Sequence, residues 1–355
     1  MESVDGALNM ADLLLVIGIG SLSGLIGLLY WGYWNARKLD RQIRQGDPSL
    51  LTTNTYKREE IIQAPMGWIA RYQLACAVSE AGGLGIIETS SGELEQIRKE
   101  IKLMRQNTEK PFGVNIAQAF VKDPDIVNFI IDQGVKFVTT SAGDPNKYCY
   151  DLKKAGLTVF HVVPSLSAAL KAIEAGVDGL VVEGFEGGGF KNPNGVASMV
   201  LLPLVCSKVN IPVIAAGGFV DGKTMAAAFS LGAQGIQMGT RMVSSKESPV
   251  HDNWKKAILS ADDQSTVLLN RFSSPALRAL RTEKTNSLEK NDEINAMQEF
   301  GSALDLYFGG DMEASIALTG QVAGRIEAEK SVRDIILETM DEFYKTIENF
   351  KKLSN

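Results

Sequence analysis

Two histidines, His161 and His251, serve a chain of 355 residues. A histidine cluster therefore has few places to be. The three cysteines, Cys76, Cys149 and Cys206, stand far apart and form no CxxC pair. That argues against a metal cage or a disulfide framework and for a reducing compartment. The residues left to do chemistry gather around glycine. VVEGFEGGGF (181–190) places Glu183 before a run of glycines and is followed by Lys191. AAGGFVDG (215–222) and MGTRM (238–242) are two more glycine-bearing turns. Glycine lets backbone amides approach a ligand closely and adopt positive φ. QAPMGW (63–68) joins a proline-fixed backbone to a glycine, which makes a rigid platform. Asn115 lies inside the apolar run FGVNI, where its amide must find partners, either from a ligand or from the core.

These groups need elements to position them, and the chain supplies a rhythm. Short apolar runs recur as IIQAP (61–65), LGIIE (84–88), FGVNI (112–116), FVTTS (137–141), VFHVV (159–163), GLVVEG (179–184), PVIAAGG (212–218) and GIQMGT (235–240). They are continuous rather than alternating, as strands buried on both faces are. Amphipathic stretches lie between them. GELEQIRKEIKLMRQ (92–106) puts Leu94, Ile97, Ile101 and Met104 on one stripe. Asp123-Pro124 starts a helix with a cap and a proline, and SLSAALKAIEAG (165–176) ends one on glycine. Eight such units predict a closed parallel (β/α)8 TIM barrel, with a doubly wound open sheet as the other arrangement. A barrel places its active site at the C-terminal strand ends, and the glycine turns after strands seven and eight are where barrels hold phosphate.

Net charge is −6, and no stretch is strongly basic, so nucleic acid is not an expected partner. Residues 13–31 (LLLVIGIGSLSGLIGLLYW) carry no charge over 19 positions, about the length of a bilayer span. Acidic residues precede this stretch; Arg37, Lys38, Arg41 and Arg44 follow it. The positive-inside rule then predicts a single-pass transmembrane helix, with the catalytic domain on the cytoplasmic side. Its glycines would let span helices pack closely, which is compatible with a homodimer. The expected organisation is a membrane anchor (1–45), a barrel (46–243), a helical cap (244–319) and a closing helix (320–355).

From Ile61 to Leu337 the chain resembles the nitronate monooxygenase family, formerly the 2-nitropropane dioxygenases, relatives of the FMN-dependent enoyl-acyl-carrier-protein reductases. The resemblance rests on QAPMGW, Asn115, VVEGFEGGGF, AAGGFVDG and MGTRM in that order. It implies a flavin mononucleotide (FMN) site. Backbone atoms of Ala64, Pro65 and Met66 would contact the ring, and Asn115, Ser165, Glu183 and Gln237 would lie beside it. Gly217, Gly218, Gly239 and Thr240 would bind the phosphate, with Gly188, Gly189, Ala216 and Met238 completing the site. Asp221 reads instead as a helix cap. The family pattern over the third motif is E-G-x-E-A-G-G-H. Here Gly187 stands for the alanine, and Phe190 for the histidine that serves as base or lies beside the substrate. Phenylalanine transfers no proton. His161 and Lys191 are the candidates to replace it, and His251 falls in the cap. Arg271, Arg278 and Arg281 either face an anionic substrate or the phosphate of a nicotinamide cofactor, or are solvated.

Three functions follow. One is oxidation of an alkyl nitronate with O2; a nitronate is already charged and needs no base. Another is an NAD(P)H-dependent flavin reductase acting on a quinone or an enoyl thioester. The third is a flavin-binding module without turnover.

Overall fold

The computed structural model describes residues 60–90, 93–291 and 294–352. Strands run in chain order as β1 (Ile61–Gln63), β2 (Gly85–Ile87), β3 (Phe112–Ala117), β4 (Phe137–Ser141), β5 (Thr158–Val163) and β6 (Gly179–Glu183), then β7 (Gly189–Lys191), β8 (Val213–Ala216) and β9 (Gly235–Met238). All but β7 form one parallel sheet in the order β1-β9-β8-β6-β5-β4-β3-β2. A parallel bridge between Ile62 and Leu84 joins β1 to β2 and brings the sheet round into a barrel. The strands coincide with the eight apolar runs of the sequence, and the open-sheet alternative falls away.

Helices α1 (Tyr72–Glu80), α2 (Leu94–Asn107), α3 (Ile126–Asp132), α4 (Cys149–Lys154), α5 (Leu166–Glu174), α6 (Ser198–Cys206) and α7 (Gly222–Ser230) alternate with the barrel strands. The sequence predicts one buried face and one cap among them, while the start read at Asp123-Pro124 is corrected: α3 begins at Ile126, after Asp125, with no side-chain cap. Ile97, Ile101 and Met104 of α2 are buried, as the stripe predicts. Asp221 caps α7 through a capping box with Thr224.

Alternation along the strands sorts side chains into two sets. Ile62, Ile86, Phe160, Val181, Ile214 and Ala216 form one buried cluster, with Leu84, Phe137 and Val162 against it. This is the barrel interior. Two residues along from Phe137 come Thr139 and then Ser141; Asn115 pairs with Thr139. Glu183 follows Val181 by two and pairs with Ala216, which pairs with Gln237. Asn115, Thr139, Ser141, Glu183 and Gln237 therefore share the interior near the C-terminal strand ends.

The expectation of a wholly helical cap is corrected. Beyond α8 (Thr240–Val243) and α9 (Asp252–Leu259), strands β10 (Thr266–Leu269) and β11 (Ala276–Leu280) form an antiparallel sheet with β7. The physical reason is a period of two. Val267, Leu269, Leu277 and Ala279 enter one buried cluster with Ala296 and Ile316. α10 (Glu283–Glu289) and α11 (Ala303–Tyr307) complete the cap. Trp254 of α9 is fully buried and donates from Nε1 to Thr319 Oγ1 at 3.1 Å.

α12 (Val332–Lys352) packs on α7 and α1, and residues 321–325 ahead of it form a short 3-10 turn. The approach is close. A Cβ at Gly222 would stand 2.2 Å from Phe343 N. The predicted transmembrane stretch, 13–31, lies outside the described residues. Among the described residues, no helix is long and apolar enough to cross a membrane.

Candidate active site at the barrel mouth

The interior polar residues make a network with an open end. Asn115 Nδ2 donates to Thr139 Oγ1 at 2.9 Å and lies 3.3 Å from Ser141 Oγ. Its Oδ1 receives only a long contact, 3.5 Å, from Ser141. Gln237 is 7% exposed, and its Oε1 is buried with no hydrogen-bond partner. A buried acceptor left unpaired costs about 1–3 kcal/mol, so it asks for a donor that the described protein does not supply.

Beside Gln237 the chain leaves β9 and meets the loop after β1. Ala64 N donates to Met238 O at 2.9 Å, and Met66 N donates to Ala64 O at 2.9 Å. This folds Ala64, Pro65 and Met66 tightly against the end of β9. A Cβ at Gly239 would come into van der Waals contact with Ala64 Cβ at 3.6 Å and Met66 Sδ at 3.8 Å, so the turn lies directly against the β1 loop. The other glycine turn is tighter. Gly217 and Gly218 have φ of 78° and 93°, and a Cβ on Gly217 would lie 2.6 Å from Gly184 O. Only glycine fits there. At Gly218 nothing lies nearer than Ser198 Oγ at 3.5 Å. Thr240 Oγ1 accepts from Gly320 N at 2.9 Å, tying the turn after β9 to the segment that leads to α12.

Other candidates are placed differently. Ser165 Oγ caps α5 by accepting from Ala168 N at 3.2 Å. His161 lies between Phe160 and Val162, both of the interior set, so its ring faces the helix layer rather than the mouth. It is 4% exposed, with Nδ1 2.7 Å from Thr140 Oγ1. Burial pushes its pKa down to about 4. His251 caps α9, its Nδ1 accepting from Asn253 N at 3.1 Å. Of the three arginines, Arg271 and Arg281 both bind Glu289. Arg278 turns toward the barrel. It is 5% exposed, lies 5.1 Å from the Phe185 ring centroid, and donates from Nε to Phe185 O at 3.0 Å. Desolvation by burial lowers its pKa.

The β6–β7 loop crosses the mouth. Gly189 has φ of 83°, and Gly188 fits tightly, since a Cβ there would lie 2.6 Å from Gly320 N. Phe190 packs against the cap cluster, and its ring centroid lies 5.2 Å from that of Phe120. Lys191 is hydrogen-bonded to Glu183 Oε1.

Two residues at the mouth escaped the sequence reading. Gln118 follows β3 directly and is 6% exposed; both its Nε2 and Oε1 are buried with no partner among the described residues. Ala142, just past β4, has φ of 53°, uncommon for a residue with a Cβ. The only signal for Gln118 was a polar amide just past an apolar strand.

The fit to FMN can be judged from these atoms. An unpaired buried acceptor at Gln237, a rigid backbone ledge at Ala64–Met66, and glycine turns whose amides carry no side chain suit a flat ring bearing an N–H donor, with a phosphate beyond it. The model of the family described as nitronate monooxygenase matches residues 49–128 and 117–342. The chain belongs to the nitronate monooxygenase family. It is accordingly an oxidoreductase, and enzymes of this family use FMN.

Its relatives within and around this family differ in what they are named for. FabK from Thermotoga maritima superposes with a TM-score of 0.79 at 40% identity, covering 86% of this chain and 98% of that one. A 5-hydroxy-7a-methyl-1-oxo-octahydro-1H-indene-4-carboxyl-CoA dehydrogenase from Rhodococcus jostii is 35% identical over 67% of each chain. A nitronate monooxygenase from Paraburkholderia phytofirmans is 29% identical over 62% of this chain and 73% of its own.

Proposed function

We propose that this family member is an FMN-dependent oxidoreductase acting on an acyl thioester, with NAD(P)H as the exchanging co-substrate. The observation that carries this reading is Phe190. The ring stands where the family pattern has its histidine, and it packs with Phe120 and the cap cluster into an apolar wall. Such a wall suits an acyl chain and offers no group to take a proton from a neutral nitroalkane. The names of the more identical relatives support it. The carboxyl-CoA dehydrogenase and FabK, an enoyl-acyl-carrier-protein reductase, both exceed the nitronate monooxygenases in identity.

When bound, FMN supplies the two-electron redox step. The chain's own residues bind and orient. Gln237 Oε1 would accept from the ring, Ala64–Met66 would lie against it, and Gly217, Gly218, Gly239 and Thr240 would hold the phosphate. Arg278 supplies a fixed cation between cap and barrel for an anionic part of the substrate or co-substrate. A membrane anchor in residues 13–31 would keep the enzyme in the compartment where acyl chains and quinones gather.

Oxidation of a nitronate by O2 is the second reading, favoured by the family match itself. A nitronate arrives charged and needs no base. The two separate in an anaerobic cuvette. The thioester reading expects NADH or NADPH to bleach the flavin of the full-length protein and crotonyl-CoA to restore the colour. Bleaching by ethyl nitronate alone, with no response to either nucleotide, would replace it with the second reading.

A further inference from the structure

Two departures from the family pattern E-G-x-E-A-G-G-H meet at one side chain. Lys191 ends β7 with its side chain 4% exposed, and its ammonium is bound to Glu183. Glu183 ends β6 on the interior side and remains partly open, 28% exposed. Alternation along β7 sends Phe190 into the cap cluster, so Lys191 points the other way, toward the barrel. Gly187 makes room for the pair. A Cβ there would stand 2.5 Å from Glu183 Oε1 and 2.8 Å from Lys191 Nζ. An alanine at this position would push the two flexible ends of the pair out of their present geometry.

Burying an ammonium is costly even when it is paired. The loop does not need it for an anchor. Gln321 N already donates to Glu186 O at 2.9 Å, and Arg278 Nε to Phe185 O at 3.0 Å. An ammonium has three donors, and Glu183 takes one, which leaves two.

We propose that Lys191, aimed by Glu183, is a catalytic residue: a cation that binds the substrate oxygen carrying or gaining negative charge. The proposal rests on reading the barrel mouth as the reaction site. It applies alike to the carbonyl oxygen of a thioester and to a nitronate oxygen. No bond to Lys191 breaks; its N–H donors stabilise the charge as it develops.

The test uses full-length protein incubated with FMN, and propionate as probe. Propionate is a planar anion close in size to ethyl nitronate, and calorimetry reads its binding without turnover. Lys191→Met should weaken propionate binding by about 10- to 100-fold, the worth of a charged hydrogen bond. Gly187→Ala keeps every charge but crowds the pair, and should weaken binding in the same direction. Melting curves and bound-flavin absorbance show whether each variant is intact. Wild-type affinity in intact Lys191→Met, or no binding by the wild type at millimolar propionate, overturns the proposal. If Lys191→Met does not fold, Gly187→Ala decides, and unchanged affinity there overturns it. Should the wild type take up no flavin, the functional reading fails by its spectrum, while the propionate comparison on the same protein still decides the role of Lys191.

Discussion

Gln237 and His161 show how position along a strand separates a binding group from a structural one. Gln237 Oε1 has no partner among the described residues. Replacing it with leucine removes an unsatisfied oxygen, so the flavin-free protein should gain about 1 kcal/mol of stability. The same change should weaken FMN binding by about tenfold, the worth of one net hydrogen bond. Thermal melts of Gln237→Leu with and without FMN check both signs. A variant that loses stability in both forms would mean that Gln237 is a core residue only. His161 faces the helices and is held neutral by burial, with its pKa down to about 4. In the unfolded chain the ring gains a proton below about pH 6.5. The stability it contributes is therefore complete above pH 6.5 and is lost as pH falls toward 4. At most about 3 kcal/mol is at stake over that window. His161→Gln should flatten the fall in melting temperature between pH 6.5 and 4. An unchanged slope would place the acid sensitivity elsewhere.

At the scale of elements, the barrel strands were legible and the cap was not. Continuous apolar runs such as FVTTS and GLVVE are what strands covered on both faces require, and β4 and β6 fall on them. β10 and β11 are four and five residues long, and ALRAL carries an arginine. Such segments read as helix until their partner, β7, is known. The helix caps were partly legible. Asp221 reads as a cap in the sequence and is one. Ser165 begins SLSAAL, a cap-like pattern, yet family resemblance pointed to the flavin; in the structure its Oγ is engaged by Ala168 N. Ser165→Ala should therefore cost about 1 kcal/mol of stability and leave FMN affinity unchanged. A drop in FMN affinity without a drop in melting temperature would return Ser165 to the flavin site. The direction of His161 was hidden because parity needs a register, and a register needs neighbouring strands.

On the scale of the whole molecule, one helix closes the barrel and one mouth gathers the site. α12 buries Phe343 against Phe229 of α7, with ring centroids 5.1 Å apart. Phe343→Ala should cost about 3–5 kcal/mol, read as a lower denaturant midpoint. A loss well under 1 kcal/mol would show α12 to be an appendage rather than part of the barrel. The mouth draws on the ends of β1, β9, β8 and β6, which are neighbours in the sheet though far apart in the chain, and of β3, which the closed ring brings to the same barrel end. That convergence is the basis for reading the glycine turns as a cofactor site. The most direct test is the visible absorption spectrum of the purified full-length protein after incubation with FMN and removal of the excess. Bound FMN predicts a yellow protein with about one flavin per chain, and a Gly239→Val variant that folds but stays colourless. A folded wild-type protein that remains colourless would contradict the account, and would leave the glycine turns with a structural role alone.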